Sequence, residues 1–359
     1  MAHRVTLIPG DWIGPEVIGA ARRAVEATGV RVDWDVQDMG VAAAERAGGP
    51  LPDATLGSIR ASRSALKGPI ETPPSLGLRS ANLALRGALD LFANVRPCRT
   101  LPGVPTVYDH VDLIVIRENT EGMYTGYEFE MGTPEVAELI GFVERTTGRS
   151  VRHDSGISVK AITEHGSERI ARFAFDHAKA FARSKVTAGH KANIMKFSDG
   201  LFLEVVRRVA AEHPEIVFED RIIDALCMRL VQAPDRFDVL VLPNLYGDIV
   251  AELGAGLIGG VGLAPGAHFG GRDELEIGVF EPTHGTAARL AGTDRANPVG
   301  AILSGSMLLR FLGEQDASDR LEAAVAATVA AGEVTDDIAH DGTRALGTRA
   351  FADAVIARL

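Results

Sequence analysis

Short β-branched runs alternate with alanine-rich helical stretches along most of this chain, which restricts it to an α/β architecture. Strand-like runs cover residues 5–9, 32–37, 65–67, 113–117, 157–162, 185–190, 217–223 and 239–242. Helical patterns fill the spaces between them. Residues 15–28 place Val17, Ile18, Ala21 and Val25 on one stripe, and residues 167–184 and 199–213 follow the same period. Thr163 and Glu164 are placed to cap the 167–184 helix, and Pro298 opens another helix over 298–312. Residues 129–152 break the rhythm: they are polar, acidic and then basic, with little helical period. That stretch reads either as a mobile surface excursion or as an arm that pairs with another subunit.

A chain of 359 residues can form one large domain or two ordinary ones, and no linker-like tract marks a boundary. The formal charge of −11 argues against nucleic acid or an anionic membrane as a partner. It leaves an anionic small substrate open, because charges beyond roughly 8–10 Å are screened. Cys98 and Cys227 are too few for a disulfide framework and read as free thiols in a reducing compartment. No apolar run approaches the ~20 residues that span a bilayer. The N-terminus also lacks an apolar leader, so the expected location is cytoplasmic.

Three groups of residues carry chemistry. The first is Arg79-Ser-Ala-Asn-Leu-Ala-Leu-Arg86, followed by Arg96 and Arg117. Guanidinium groups grip carboxylates bidentately, so Arg86, Arg96 and Arg117, with Ser80 and Asn82, suit a substrate bearing several carboxylates. Singly, each arginine reads as a surface ion pair. The second group is acidic: Asp224, Asp248 and Glu252. Asp248 and Glu252 are four residues apart, so a helix presents both on one face, either to solvent or to a hard cation such as Mg²⁺ or Mn²⁺. They follow the apolar run 239–242, and ligands bind at strand ends in α/β folds. The third is Lys191, after the run 185–190, with Tyr124 as a complementary proton carrier; by type alone either is more often structural or solvated.

A dinucleotide fingerprint is missing. Gly10-Asp-Trp-Ile-Gly14 has the wrong spacing, and Gly260-Val-Gly262 runs into Leu263, Ala264 and Pro265. The segment Glu281-Pro-Thr-His-Gly-Thr-Ala287 offers small residues for close phosphate approach and His284 to stack or hydrogen-bond.

These segments together resemble the isocitrate/3-isopropylmalate dehydrogenase family, the β-decarboxylating dehydrogenases, in the same order from Leu7 to near the C-terminus. The runs Asp90-Leu-Phe-Ala-Asn-Val-Arg-Pro-Cys98, Ile116-Arg-Glu-Asn-Thr-Glu-Gly122, His190-Lys-Ala-Asn-Ile-Met195 and Pro243-Asn-Leu-Tyr-Gly-Asp248 carry the likeness, which is strongest toward NAD-dependent isocitrate dehydrogenases. The resemblance implies a two-domain α/β fold with a non-Rossmann dinucleotide site. Residues 1–98 and 252–359 would form the large domain and residues 99–251 the small one, with 129–152 as a dimerisation arm.

It further implies that Ser80, Asn82, Arg86, Arg96 and Arg117 bind substrate carboxylates, with Tyr124 and Lys191 as the acid/base pair. Asp224, Asp248 and Glu252 would hold Mg²⁺ or Mn²⁺, although the family pattern has an aspartate where Glu252 stands. Thr72 and Asn193 would contact the nicotinamide. Glu281, His284, Gly285, Thr286, Ala287, Arg289 and Asn297 would line the rest of the dinucleotide site. The family is dimeric or larger, and the matching Lys191 and Asp224 come from the partner subunit.

The implied reaction is oxidative decarboxylation of isocitrate, since Ser80 and Asn82 look like binders of its γ-carboxylate. Homoisocitrate or another β-substituted malate, such as a phosphonate analogue, is the alternative; a non-catalytic regulatory subunit is the alternative of another class. NAD is the expected cofactor, with NADP open. Arg289 stands where NAD-preferring relatives carry an acid, whereas Leu290, Ala296, Asp336 and His340 point away from the bacterial NADP type. Trp12 occupies a place where glycine is usual.

Overall fold

A computed structural model of the chain describes residues 2–47, 49–71, 80–271, 276–340 and 344–359; Thr72 and Arg79 lie outside them. The first third holds β1 (His3–Ile8), α1 (Gly14–Ala27), β2 (Val32–Val36), α2 (Val41–Ala47), α3 (Asp53–Ser62), β3 (Ser64–Lys67), α4 (Ala81–Ala88) and β4 (Ala93–Arg99). The middle holds β5 (Asp112–Glu118), β6 (Glu128–Phe129), α5 (Pro134–Thr147), β7 (Ile157–Ser158), α6 (Glu164–Ala180), β8 (Lys185–His190), α7 (Ser198–Ala210), β9 (Val217–Ile222), α8 (Ile223–Gln232) and β10 (Val239–Leu242). After α9 (Asn244–Leu257) come β11 (Ala267–Gly270), β12 (Ile277–Phe280), α10 (Val299–Phe311), α11 (Gln315–Ala330) and α12 (Thr348–Ile356).

Among the described residues, ten strands form one sheet in the order β2-β1-β3-β12-β11-β4-β5-β10-β8-β9. Pairing is parallel toward both edges and antiparallel only where β11 meets β12 and β4 and where β4 meets β5. Chain direction therefore reverses at the centre of the sheet. The carboxyl ends of β5, β10 and β8 point the same way, so Arg117, the start of α9 and Lys191 all leave the sheet at one end.

Helices on both faces bury the apolar strands. The largest core cluster joins α1, α10 and α11 to β1, β5 and β10 through residues such as Val17, Leu113, Leu240, Ile302 and Leu321. A second cluster packs Ile170, Phe175, Phe202 and Val206 of α6 and α7 against Val186 and Val239. Helix α9 lies close on β5 because Gly247 lacks a side chain: a Cβ there would stand 2.6 Å from Cβ of Arg117.

Two expectations need correction. Residues 129–152, which show little helical period in the sequence, hold a helix over more than half their length. Thr133 caps α5, Pro134 opens it and Gly148 ends it in the left-handed conformation. Only Val136 and Ile140 of α5 are buried, a stripe so narrow that the charged residues hid its period. The run 157–162 forms only a two-residue strand, β7, paired with β6 in a separate small sheet. β4, β11 and β12 were not read as strands. β11 and β12 are four residues long and contain glycine, and β4 contains Pro97, so propensity was weak.

Candidate active site

Strand alternation puts Arg96 and Arg117 on the same face of the sheet, with α9 above them. Arg117 is 2% exposed, and its Nε and Nη2 donate to Oδ1 of Asn244 at 3.0 and 2.7 Å. Its Nη1 is ion-paired with Asp248, whose other oxygen accepts from the Tyr124 hydroxyl. The guanidinium also lies 4.7 Å from the centre of the Tyr124 ring. Burial lowers the Arg117 pKa to about 10, against the opposing pull of Asp248. Burial and the bond to Asp248 raise that of Tyr124, so its phenol stays protonated at neutral pH.

Arg96 is 8% exposed; its Nε donates to Asn94 at 2.8 Å, while its buried Nη1 has no partner among the described residues. Arg86, near the end of α4, has its pKa lowered by burial and feels the charges of Glu281, Arg96, Asp248 and Tyr124. Asn82 points a buried, unpartnered Oδ1 from the first turn of α4, and Ser80 immediately precedes that helix. Glu252 lies one turn after Asp248 on α9; burial raises its pKa, with Arg96 and Arg117 pulling the other way and Asp248 adding to the rise. One region thus holds three guanidinium groups, a protonated phenol, two helical carboxylates and unmet hydrogen-bonding atoms. Such a region suits a polyanion bearing an ionisable hydroxyl.

Lys191 and Asp224 form a separate pair. Lys191 follows β8, its backbone N–H held by Asp199 at 2.7 Å, and its Nζ reaches Asp224 at 2.5 Å. That hydrogen bond holds the exposed Asp224 carboxyl below its ordinary range. Asn193 is exposed in the turn that follows. Among the described residues no three acids, histidines or cysteines gather closely enough to hold a metal within one chain. Asp248 and Glu252 offer a hard cation part of its oxygen set, and Asp224 stands elsewhere.

The segment 281–287 borders the same region. Glu281 is 7% exposed and both its oxygens are engaged, by Lys67 and by His268. His284 donates through Nδ1 to the Gly285 carbonyl at 3.0 Å and has a buried, unpartnered Nε2. A side chain at Gly285 would meet only open space, leaving its backbone accessible. The Thr286 carbonyl accepts from Ile13, and Ala287 takes a left-handed φ of 41°. Trp12, in the adjoining loop, likewise adopts a φ of 54°, the conformation that favours glycine. Arg289 is exposed; Asn297 is buried and donates to Asp337 at 3.0 Å. Asp336 is ion-paired with Arg295, and His340 donates to the Gly103 carbonyl. The exposed glycine backbone fits close approach of a phosphate-bearing ligand, while the free His284 Nε2, an acceptor, suits a hydroxyl donor.

Sequence reasoning missed Asn244, Asn94, Asn119, Lys67 and His268. Asn244 and Asn94 lay inside motifs already quoted and could have been found by their spacing from Asp248 and Arg96. Nothing local marks His268.

The model of the isocitrate/isopropylmalate dehydrogenase family matches residues 4–355. A Drosophila melanogaster protein called "probable isocitrate dehydrogenase [NAD] subunit alpha, mitochondrial" is 44% identical over 93% of this chain and 83% of its own length. The chloroplastic 3-isopropylmalate dehydrogenase of Solanum tuberosum is 45% identical over 92% of this chain and 86% of its own. Among solved structures, isocitrate dehydrogenase from Methylococcus capsulatus superposes with a TM-score of 0.89 at 46% identity, covering 99% of each chain. With the family match running almost end to end, this chain belongs to the isocitrate/isopropylmalate dehydrogenase family.

Proposed function

We propose that two copies of the chain together convert isocitrate to 2-oxoglutarate by oxidative decarboxylation, with NAD as the hydride acceptor and Mg²⁺ or Mn²⁺ as the metal. The chain is an NAD(P)-dependent β-decarboxylating dehydrogenase by family. One observation carries the choice of substrate: Arg86, Arg96 and Arg117 converge with Tyr124 and Asp248, beside an unmet Arg96 Nη1. Relatives named for isocitrate and for isopropylmalate are equally similar overall, so only local residues separate the two. Ser80 and Asn82 offer hydrogen bonds where an isopropyl arm needs apolar contact, which favours a carboxylate arm.

Arg86, Arg96 and Arg117 would hold the substrate's carboxylates and fix its reacting carbon. Asp248 and Glu252, with the partner's Asp224, would hold the cation. When bound, the cation would supply Lewis acidity beside the hydroxyl and the dinucleotide would accept a hydride. The partner's Lys191 would take the hydroxyl proton, and Tyr124, kept protonated by burial and Asp248, would return a proton after carboxylate loss. Residues 281–287 with Asn297 would seat the dinucleotide, and Arg289 would face its ribose.

A dimer is supported by apolar side chains left bare around this region. Phe197 is 94% and Ile194 69% exposed near Lys191; Met228 and Val231 of α8 and Leu245 and Ile249 of α9 are also exposed. Tyr127, Met131 and Phe142, on or beside the β6–α5 segment read as an arm, are likewise exposed. We place the domain boundaries at 98/99, at the end of β4, and at 251/252, inside α9. The free thiols Cys98 and Cys227 support a reducing compartment, read as the cytoplasm; no helix among the described residues is long and apolar enough to cross a membrane.

The test is an assay of the purified homo-oligomer with isocitrate, homoisocitrate, isopropylmalate and a phosphonate analogue, each with Mn²⁺ and with NAD or NADP. Preference for isocitrate and NAD is expected. Faster turnover of another malate would replace the substrate, and a folded protein inert toward all of them would mark a regulatory subunit.

A further inference from the structure

A row of polar side chains crosses the centre of the sheet on the face that carries the arginines. His268 of β11 stands directly opposite Asn94 of β4, and Asn94 stands opposite Arg117 of β5. Glu281, one residue past β12, extends the row toward Lys67 at the end of β3. All are buried: Lys67 is 1%, His268 2%, Asn94 0%, Arg96 8% and Glu281 7% exposed. A row of this kind is costly unless its bonds are met, and here they are met in one direction.

Burial, despite Glu281, lowers the His268 pKa to about 3, so the ring is neutral at pH 7. Its Nε2 lies 2.6 Å from a Glu281 oxygen, and a carboxylate can only accept, so Nε2 carries the proton. Nδ1 is then the acceptor, taking an amide N–H from Asn119 at 3.0 Å; the Asn94 amide nitrogen lies 2.8 Å from Nδ1 and 3.1 Å from Nε2, and because a protonated Nε2 cannot accept, its N–H goes to Nδ1. The remaining Asn94 atom, Oδ1, accepts from Arg96 Nε at 2.8 Å. Every donor points toward Glu281, and the chain of bonds ends on the guanidinium whose Nη1 is bare. Gly266 leaves room for the Arg96 stem, since a Cβ there would lie 3.1 Å from both Cδ and Nε.

We propose that Glu281, His268 and Asn94 are positioning residues: through this buried relay they lock Arg96 with Nη1 aimed at one substrate carboxylate. Substrate affinity is thereby tied to the loop that begins at Glu281. The substrate half of this proposal rests on the isocitrate reading, whereas the relay itself does not.

The unaltered holoenzyme is assayed first, with isocitrate and Mn²⁺. Asn94→Ala and His268→Leu are expected to raise KM for isocitrate about tenfold to a hundredfold, as loss of support for a charged hydrogen bond does. KM for the dinucleotide and kcat should stay within about threefold. His268→Gln keeps a donor for Glu281 and an acceptor for Asn94, and is expected to recover most of the affinity. In parallel, ¹⁵N spectra of the imidazoles at pH 7 should show His268 protonated at Nε2 alone.

A folded His268→Leu with unchanged isocitrate KM would overturn the proposal. So would an equal rise in dinucleotide KM, or a ring protonated at Nδ1. If the unaltered protein does not turn over isocitrate, the functional reading fails and the ring spectrum still decides the relay. Should the leucine variant not fold, His268→Gln and the spectrum decide it.

Discussion

Asp248 is the residue on which the site turns, because it binds Arg117 and Tyr124 at once and shares its helical face with Glu252. Its replacement by Asn keeps the shape and removes the charge. Asp248→Asn and Lys191→Met are each expected to lower kcat by orders of magnitude, roughly a thousandfold, while thermal unfolding stays near that of the unaltered protein. Near-normal turnover of either variant would remove its assigned role. Arg289 is exposed, so Arg289→Asp should move the NADP/NAD ratio of kcat/KM toward NAD. An unchanged ratio would show that another residue reads the ribose.

Buried histidines give a second residue-scale prediction. Burial lowers His268 to about 3 and, with Arg183 adding, His177 to about 4, from an ordinary 6.5. The unfolded chain binds these protons as pH falls below 6.5, and the folded chain does not until far lower. Stability is therefore full above pH 6.5 and declines from there toward pH 4, each group contributing at most about 1.4 kcal/mol per unit. Urea midpoints should fall across that window, and less steeply in His177→Gln. An equal slope in that variant would refute the account.

At the scale of elements, α9 sets the geometry because one helix both carries the carboxylates and presses on β5. The contact depends on Gly247. Gly247→Ala puts a methyl 2.6 Å from Arg117 Cβ, where backbone and a buried guanidinium cannot yield freely. The expected result is a loss of about 1–3 kcal/mol of stability and a weaker isocitrate KM, measured by urea unfolding and initial rates. Stability within error of the unaltered protein would mean that α9 can move outward without penalty. Period-based reading found α1, α6, α7 and α10 to within a few residues. It missed α5, whose buried stripe is two residues wide, and the short strands β11 and β12, which depend on neighbours rather than propensity.

At the scale of the whole molecule, Lys191 and Asp224 stand apart from Asp248 and Glu252 within one chain, and bare apolar surface lies beside both groups. Shared sites predict complementation. Lys191→Met and Asp248→Asn chains, each inactive alone, should regain up to about a quarter of full activity when co-assembled: half of randomly mixed dimers are hybrid, and each hybrid has one intact site. No regain in verified hybrid dimers would show that each chain works alone. Ile249→Glu, placed on the bare face of α9, should weaken the dimer, read by sedimentation at rising dilution.

The order of residues along the chain was enough to establish the strand–helix alternation, the missing Rossmann loop and the family, because each is a local pattern or a set of spacings. It also marked Asp248 and Glu252 as neighbours, since helix pitch alone brings residues four apart together. Which groups meet across the sheet was decided only by tertiary structure. Strand order places β11 and β12 beside β4 although some 170 residues separate His268 from Asn94, and no period in the sequence carries that information. The same holds for the free Nη1 of Arg96: whether a buried donor is met depends on every neighbour packed around it, a property of the folded whole.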